Sequence, residues 1–283
     1  MAAAGRRALR AYLRSPAGVI GLVLLLAVLG AALSADWLFP RDPLALAGRP
    51  LQWPGANPRL PLGTDNLGRD IAAFLFHGAR VSLLIGLAAS AVAVGIGVAV
   101  GAVAGFYGGW VDDLLMRVTE AFQTIPNFIL LLVLVAVFGS ELPVITVAIG
   151  LVGWTAPCRL VRAEFLSLRH REFVLAARGL GLSDARLILG EVLPNALPPV
   201  IVYASVVMAV AILLESALAF LGLSDPNIAS WGNMIGAGRS VLRTEWYVSA
   251  IPGAAILATV LAFSLVGQGL NDALDPRMQV APP

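Results

Sequence analysis

Long stretches without a single Asp, Glu or Arg constrain this 283-residue chain more than any other feature of its sequence. They occupy residues 17–35, 81–106, 121–140, 142–158, a run from 192 that is broken only by Glu215, and 246–271. The hydrocarbon core of a bilayer requires about 20 apolar residues in helical form. Because each stretch is long enough to cross once, the sequence predicts an all-α membrane protein with six transmembrane helices.

The distribution of basic residues predicts how these helices are oriented. All 19 basic residues are Arg. Six crossings place both termini on one side, and the segments on that side hold twelve Arg, against seven on the other. Because short Arg-rich segments stay inside the cell, both termini are predicted to be cytoplasmic. Without Lys the chain has no Walker-type phosphate-binding Lys, so any ATP that is consumed must be bound by another chain.

The spans and the orientation together predict the organisation of the chain. Its predicted parts are a basic cytoplasmic N-terminus 1–16, a first transmembrane helix 17–38, an extracytoplasmic loop and interfacial segment 39–79, a five-helix core 80–271 that contains the cytoplasmic loop 159–192, and a cytoplasmic tail 272–283. The first helix is preceded by basic residues, as in a signal peptide. Its charge-free stretch exceeds the roughly 7–15 apolar residues of a cleaved segment, which favours an uncleaved helix.

Two local patterns outside the cytoplasmic loop predict packing and capping. Gly97, Gly101 and Gly105 repeat every four residues, so they line one helix face and allow a neighbouring helix to approach closely. After the Pro-rich, irregular stretch 39–61, at least one of Asp65 and Asp70 is expected to cap an interfacial helix. These two carboxylates and a single His77 offer too few ligands for a metal site.

The cytoplasmic loop contains a predicted pair of short helices. Phe173, Ala176, Ala177 and Leu180 recur at helical spacing and form one apolar stripe. Glycines at 179 and 181 are expected to end this first helix. Ser183 is placed to cap a second helix, which the sequence Leu-Pro-Asn at 193–195 is expected to stop.

This helix pair has two possible roles. The small side chains of Ala176 and Ala177 leave a smooth surface on which another protein can pack, and Arg178 can fix the register of that contact. The alternative is a helix that lies on anionic lipid headgroups. That alternative is favoured by four nearby basic residues: Arg159, Arg162, Arg169 and Arg171.

At these residues the chain resembles the permease subunit of a binding-protein-dependent ABC importer. The Glu-Ala-Ala loop of such permeases has the spacing found here for Ala176, Ala177, Gly181, Leu193 and Pro194. Leu175 stands where the general pattern has Glu, and Glu191 stands where it has an apolar residue. Further stretches match the C-type permease of the dipeptide, oligopeptide and nickel family: 63–70, 78–83, 107–112, 219–223, 230–234 and 270–276.

The resemblance implies a type I ABC importer permease fold in the inner membrane of a bacterial or archaeal cell. The expected partners are a homologous second permease, two cytoplasmic ATPase subunits, an extracytoplasmic substrate-binding protein and the bilayer. The chain itself would not be an enzyme and would bind no cofactor, because ATP and magnesium would be held by the ATPase subunits. The cargo stays open among dipeptides, longer peptides and nickel chelates, with peptides favoured.

The resemblance also assigns a role to the cytoplasmic helix pair, which becomes the coupling helix that transmits ATPase motion. The predicted coupling residues are Glu172, Phe173, Ala176, Ala177, Arg178, Gly181, Leu193 and Pro194. A bulky side chain at Ala177 or Gly181 is expected to abolish transport and the stimulation of ATP hydrolysis without preventing membrane insertion.

Glu215 is the candidate for the substrate path, because an ionisable group inside a span is functional by default. The competing interpretation is a hydrogen bond between helices. No catalytic residues are predicted: an intramembrane protease requires a Ser/His pair or two Asp at membrane depth, and both His lie in loops. The six Arg of 158–191 are interleaved with acidic residues, which argues against nucleic-acid binding. The remaining alternative is a secondary transporter or channel that works without an ATPase.

Overall fold

The computed structural model describes residue 9 and residues 11–274. Most of the predicted N-terminal segment 1–16, namely residues 1–8 and residue 10, lies outside this range, as does the tail from 275 onwards. Within the described residues the structure contains helices, turns and three isolated β-bridges, and no strand. The prediction of an all-helical chain is therefore confirmed.

Ten α-helices of eight or more residues follow one another along the described part of the chain. They are α1 (Pro16–Leu38), α2 (Ile71–Tyr107), α3 (Gly109–Gln123), α4 (Asn127–Phe138), α5 (Leu142–Gly153), α6 (Thr155–Leu168), α7 (Glu172–Gly179), α8 (Leu193–Phe220), α9 (Trp231–Gly238) and α10 (Tyr247–Leu274). A three-residue helical turn, Asp184–Arg186, and a π-helix, Leu187–Val192, lead directly into α8.

Four of these helical runs are long and apolar enough to cross a membrane. They are α1, α2, the continuous run Asp184–Phe220, and α10. Two further pairs pass the same test only as bent units: α3 with α4, bent by 80°, and α5 with α6, bent by 43°. Counting each bent pair as one span gives up to six spans in the described residues. The number of crossings and the side on which the termini lie stay predictions.

The bends correct the predicted third and fourth spans, 121–140 and 142–158. The third is broken between Gln123 and Asn127, where Pro126 disfavours helical geometry in the residue before it. The remaining helix α4 has 12 residues, about 18 Å, and cannot cross alone. The fourth continues to Leu168 after a bend at Trp154. Pro157 lies in the first turn of α6 and cannot donate a backbone hydrogen bond to the end of α5.

The predicted helix stop at 193–195 is also wrong. The chain stays helical from Asp184 to Phe220, so the second helix of the cytoplasmic pair is the beginning of a long apolar helix. Pro194 lies in the first turn of α8, directly after the wider π-helical turns. A proline at this position removes few hydrogen bonds, because the π segment has already interrupted the regular pattern.

The packing of α2 against α6 is built on the predicted glycine face. A Cβ atom on Gly97 would lie 2.7 Å from Cβ of Pro157, and one on Gly105 would lie 2.6 Å from Cβ of Phe165. Both distances are too short for real atoms, so the two helices touch through their backbones at these points. The predicted role of the glycines is confirmed.

Local capping is explained by single residues at both ends of α2. Asp70 accepts a hydrogen bond from the backbone N–H of Ala72 at 2.9 Å, which confirms the predicted cap. Gly108, with φ of 68°, ends the helix in a conformation that suits glycine. Asp65 instead organises the preceding turn and pairs with Arg69 at 2.7 Å.

The stretch between α1 and α2 is irregular, as its prolines predict. It folds against the start of α10, where the Tyr247 hydroxyl donates to the backbone oxygen of Gln52 at 3.0 Å. The ring of Trp53 lies 5.0 Å from that of Tyr247. The loop is therefore a packed layer over one end of the helices.

Candidate functional site

The helix α7 and the turn after it form a compact knob between α6 and the π-helix. Two hydrogen bonds close the turn: Gly181 N–H donates to the oxygen of Arg178 at 3.0 Å, and Leu182 N–H donates to that of Ala177 at 3.3 Å. Gly181 has φ of 83°, as the glycine of this type of helix ending requires. Both predicted glycine positions therefore lie at the end of the helix.

Residue 174 anchors the knob. Val174 is 0% exposed and packs with Phe106, Phe165 and Leu187, so α7 is attached to the ends of α2 and α6 and to the π-helix. The apolar stripe predicted from spacing did not include it. Three adjacent apolar residues, 173–175, occupy three directions around a two-turn helix, so helical spacing alone does not identify the buried one.

The predicted stripe is divided between the inside and the outside. Ala177 is partly buried and packs on the cluster around Val174. Ala176 is exposed, Phe173 is 40% exposed and Leu180 is 83% exposed. We call Phe173, Ala176 and Leu180 the outer surface of α7. An apolar surface that the chain leaves uncovered at the end of its helices is typical of a contact with another protein.

Two arginines near α7 form ion pairs or hydrogen bonds within the chain. Arg162 pairs with Asp112, with Nη2 and Oδ2 at 2.7 Å. Arg169 donates to the backbone oxygens of Gly105 and Phe106, at 3.2 and 3.3 Å, and so caps the end of α2. Two of the four basic residues that favoured binding to lipid headgroups are thus already neutralised or engaged. This weakens the lipid alternative.

The other predicted coupling residues lie around the same knob. Arg178 places its guanidinium 5.4 Å from the ring centre of Phe106, so it braces α7 against α2 rather than standing free. Glu172 is exposed in the first turn of α7. Leu193 packs on the cluster around Val174, and Pro194 is exposed at the start of α8.

Glu215 lies apart from this knob, five residues before the end of α8. It is 1% exposed, and its Oε1 accepts a hydrogen bond from the Ser230 hydroxyl at 2.7 Å. Ser230 is the N-cap of α9 and also accepts from the N–H of Asn233. The chain's own helices cover the carboxylate. The geometry supports the hydrogen bond between helices, and substrate contact stays an untested prediction.

The sequence of this chain is similar to those of known transport proteins. The family described as "Binding-protein-dependent transport system inner membrane component" matches residues 97–280. A putative peptide permease protein of Brucella suis biovar 1 (strain 1330) is 38% identical over 282 residues, which cover 97% of this chain and 91% of that protein. The di/tripeptide transport system permease protein DppC of Pseudomonas aeruginosa (strain UCBPP-PA14) is 39% identical over 267 residues, which cover 92% and 88% of the two chains.

Proposed function

Because this chain belongs to the family of binding-protein-dependent transport system inner membrane components, we propose that it is one permease subunit of an ATP-driven importer of short peptides. The apolar spans agree with a place in the inner membrane. The cargo follows from the relatives, since the similar proteins from Brucella suis and Pseudomonas aeruginosa are named for peptide or di/tripeptide transport. Nickel chelates receive no such support.

The knob formed by α7 is the proposed contact with a cytoplasmic ATPase. The observation that carries this proposal is the uncovered outer surface of α7 on a helix that is held rigidly at Val174. A lever transmits motion only if it is stiff and its contact surface is free. The knob has both properties. Its turn is closed by hydrogen bonds, Arg178 lies over the ring of Phe106 in α2, and Val174 packs with residues of α6 and the π-helix.

Motion of α7 would be passed directly to two spans. Three residues separate the end of α6 from the start of α7. On the other side the chain stays helical from Asp184 to Phe220, so a push on the knob would act on the whole length of α8. ATP and magnesium would be bound by two ATPase subunits, and the substrate would pass between this chain and a homologous second permease. An extracytoplasmic binding protein would deliver the peptide.

A pair of substitutions at Leu180 tests the coupling role. Leu180→Glu places a charge in the apolar contact and is expected to reduce peptide uptake, and the ATP hydrolysis stimulated by loaded binding protein, by about tenfold or more. Leu180→Met keeps the site apolar and is expected to behave as the unmodified chain. Because Leu180 touches little of its own chain, this pair separates coupling from folding better than substitutions at Ala177 or at Gly181.

The measurement uses the complete transporter in liposomes, with the amount of assembled complex determined for each variant. Normal uptake and normal stimulation in the Leu180→Glu complex would falsify the coupling role. Uptake that continues after the ATPase subunits are omitted would instead favour the secondary transporter or channel.

A further inference from the structure

A polar groove of about 460 Å³ runs between α3 and α6. The two helices are antiparallel there: Asp112 pairs with Arg162 at one end, and the rings of Phe122 and Trp154 lie 5.5 Å apart at the other. The side chains that line the groove include those of Asp113, Met116, Arg117, Glu120, Arg159 and Arg162. Its volume lies in the range of small-molecule sites.

The groove lies beside the charge-free part of α2. A Cβ atom on Gly97 would lie 2.9 Å from the backbone nitrogen of Cys158, and one on Gly101 would lie 3.1 Å from that of Arg162. Residues 158–162 therefore pack against the second half of the charge-free stretch 81–106, towards the end of α2. Ionised side chains at such a level are costly in contact with lipid, so water or a polar ligand in the groove would stabilise them.

The charges in the groove are not neutralised by one another. Arg162 is held by Asp112. Within the part of the chain that the structure describes, Arg117 and Arg159 form no ion pair or hydrogen bond through their side chains, and neither do Asp113 and Glu120. The groove thus presents two free guanidinium groups and two free carboxylates.

The opposite face of α3 is apolar. Trp110, Leu114 and Val118 recur every four residues, and all are exposed. Such a stripe suits lipid or an apolar protein surface. Because the groove lies on the other side of the same helix, α3 separates an apolar environment from a polar one.

We infer that this groove is a water-filled section of the substrate path and that it binds the two charged ends of a zwitterionic short peptide. The free guanidinium groups of Arg117 and Arg159 receive the terminal carboxylate, and Asp113 and Glu120 receive the terminal ammonium group. The inference rests on the proposed function and adds a contact site within it. Equal numbers of free positive and negative groups match a ligand that carries one charge of each sign.

Cysteine accessibility tests whether the groove contains water. The only native cysteine, Cys158, is buried, so the unmodified chain serves as the background. Met116→Cys places a thiol in the groove, and Val118→Cys places one on the apolar stripe two residues away. In the complete transporter without nucleotide, a membrane-impermeant charged thiosulfonate is expected to modify the first about tenfold faster than the second. If Met116→Cys prevents assembly, Gln123→Cys, which also lines the groove, replaces it.

Protection by peptide tests the ligand. A zwitterionic tripeptide at about twice its dissociation constant is expected to slow the modification about threefold. The same tripeptide with an acetylated N-terminus and an amidated C-terminus is expected to have no effect. Arg159→Gln is expected to remove the protection, whereas Arg159→Lys is expected to retain part of it, because it keeps the charge.

Three results would overturn the inference. The first is equal, slow modification of both cysteines, as for a groove closed by protein or lipid. The second is fast modification that no peptide slows. The third is protection that depends on anionic lipid in the vesicles and not on peptide, which would identify the groove as a lipid headgroup site. ATP-dependent uptake by the unmodified complex is measured alongside, so that failure of the proposed function is recognised separately.

Discussion

At the scale of single residues, Glu215 is the least exposed acidic residue in the described part of the chain, at 1% exposure. Its hydrogen bond from Ser230 joins the end of α8 to the start of α9. The contact is tight, because a Cβ atom on Gly232 would lie 2.7 Å from Oε2 of Glu215. The buried carboxylate of Glu215 therefore has a structural explanation, because it holds the start of α9 against the end of α8.

This arrangement predicts the effect of two substitutions at Glu215. In Glu215→Gln the side-chain oxygen can still accept from Ser230, so peptide uptake is expected to stay within about twofold of the original. In Glu215→Leu the Ser230 hydroxyl loses its acceptor, and the loss of stability is expected to be about 1–3 kcal/mol.

Uptake of a cationic peptide and of a neutral peptide of the same length distinguishes the two roles of Glu215. Equal, small effects of Glu215→Gln on both peptides agree with the hydrogen bond between helices. Selective loss of the cationic peptide would show that the carboxylate recognises substrate charge, contrary to the prediction.

At the scale of helices, the contact between α2 and α6 leaves no room for side chains at Gly101. A Cβ atom there would lie 3.0 Å from Cβ of Val161 and still closer to the oxygen of Cys158. Gly101→Ala is therefore expected to destabilise the chain by about 1–3 kcal/mol through overpacking. The measurement is the thermal stability of the purified protein in detergent.

Gly95 provides the matched control on the same helix. A Cβ atom at this position meets nothing within 4 Å. Gly95→Ala is expected to be neutral or slightly stabilising, since alanine is the better helix former by about 1 kcal/mol. Equal losses of stability in the two variants would mean that general helix perturbation, and not the contact with α6, explains the effect.

These elements show which features the sequence alone predicts. The Asp70 cap and the Gly97–Gly105 face depend on neighbours within one or two turns, so their patterns are readable locally. The burial of Val174 depends on helices that are distant in sequence. The helical run through Pro194 depends on the π segment before it, for which the sequence carries no simple periodic signal.

At the scale of the whole molecule, the first and last helices lie side by side. The Ser15 hydroxyl donates to Asp272 Oδ2 at 3.0 Å, and a Cβ atom on Gly18 would lie 3.1 Å from the Cα of Gly269. The start of α1 and the end of α10 are therefore at the same face of the helices. With the Arg distribution, this predicts that both are cytoplasmic.

Reporter fusions test that orientation. Green fluorescent protein fused after the last residue is expected to fluoresce, and alkaline phosphatase at the same position is expected to be inactive. Alkaline phosphatase inserted at Gly55 is expected to be active, because the loop between α1 and α2 is predicted to be extracytoplasmic. Gly55 suits an insertion because it has open space around it. The reverse pattern of phosphatase activity would contradict the predicted orientation.

The pairing of α1 with α10 also has a consequence for biogenesis. Ser15 and Asp272 are 257 residues apart, so a ribosome working at about 5–20 residues per second needs roughly 13–50 s between them. During that interval α10 has not yet been made, so the glycines of α1 lack the helix against which they pack in the folded chain. Translation has to be nearly complete before the helices can close around one another, and until then the newly made protein is open to proteolysis by quality-control enzymes.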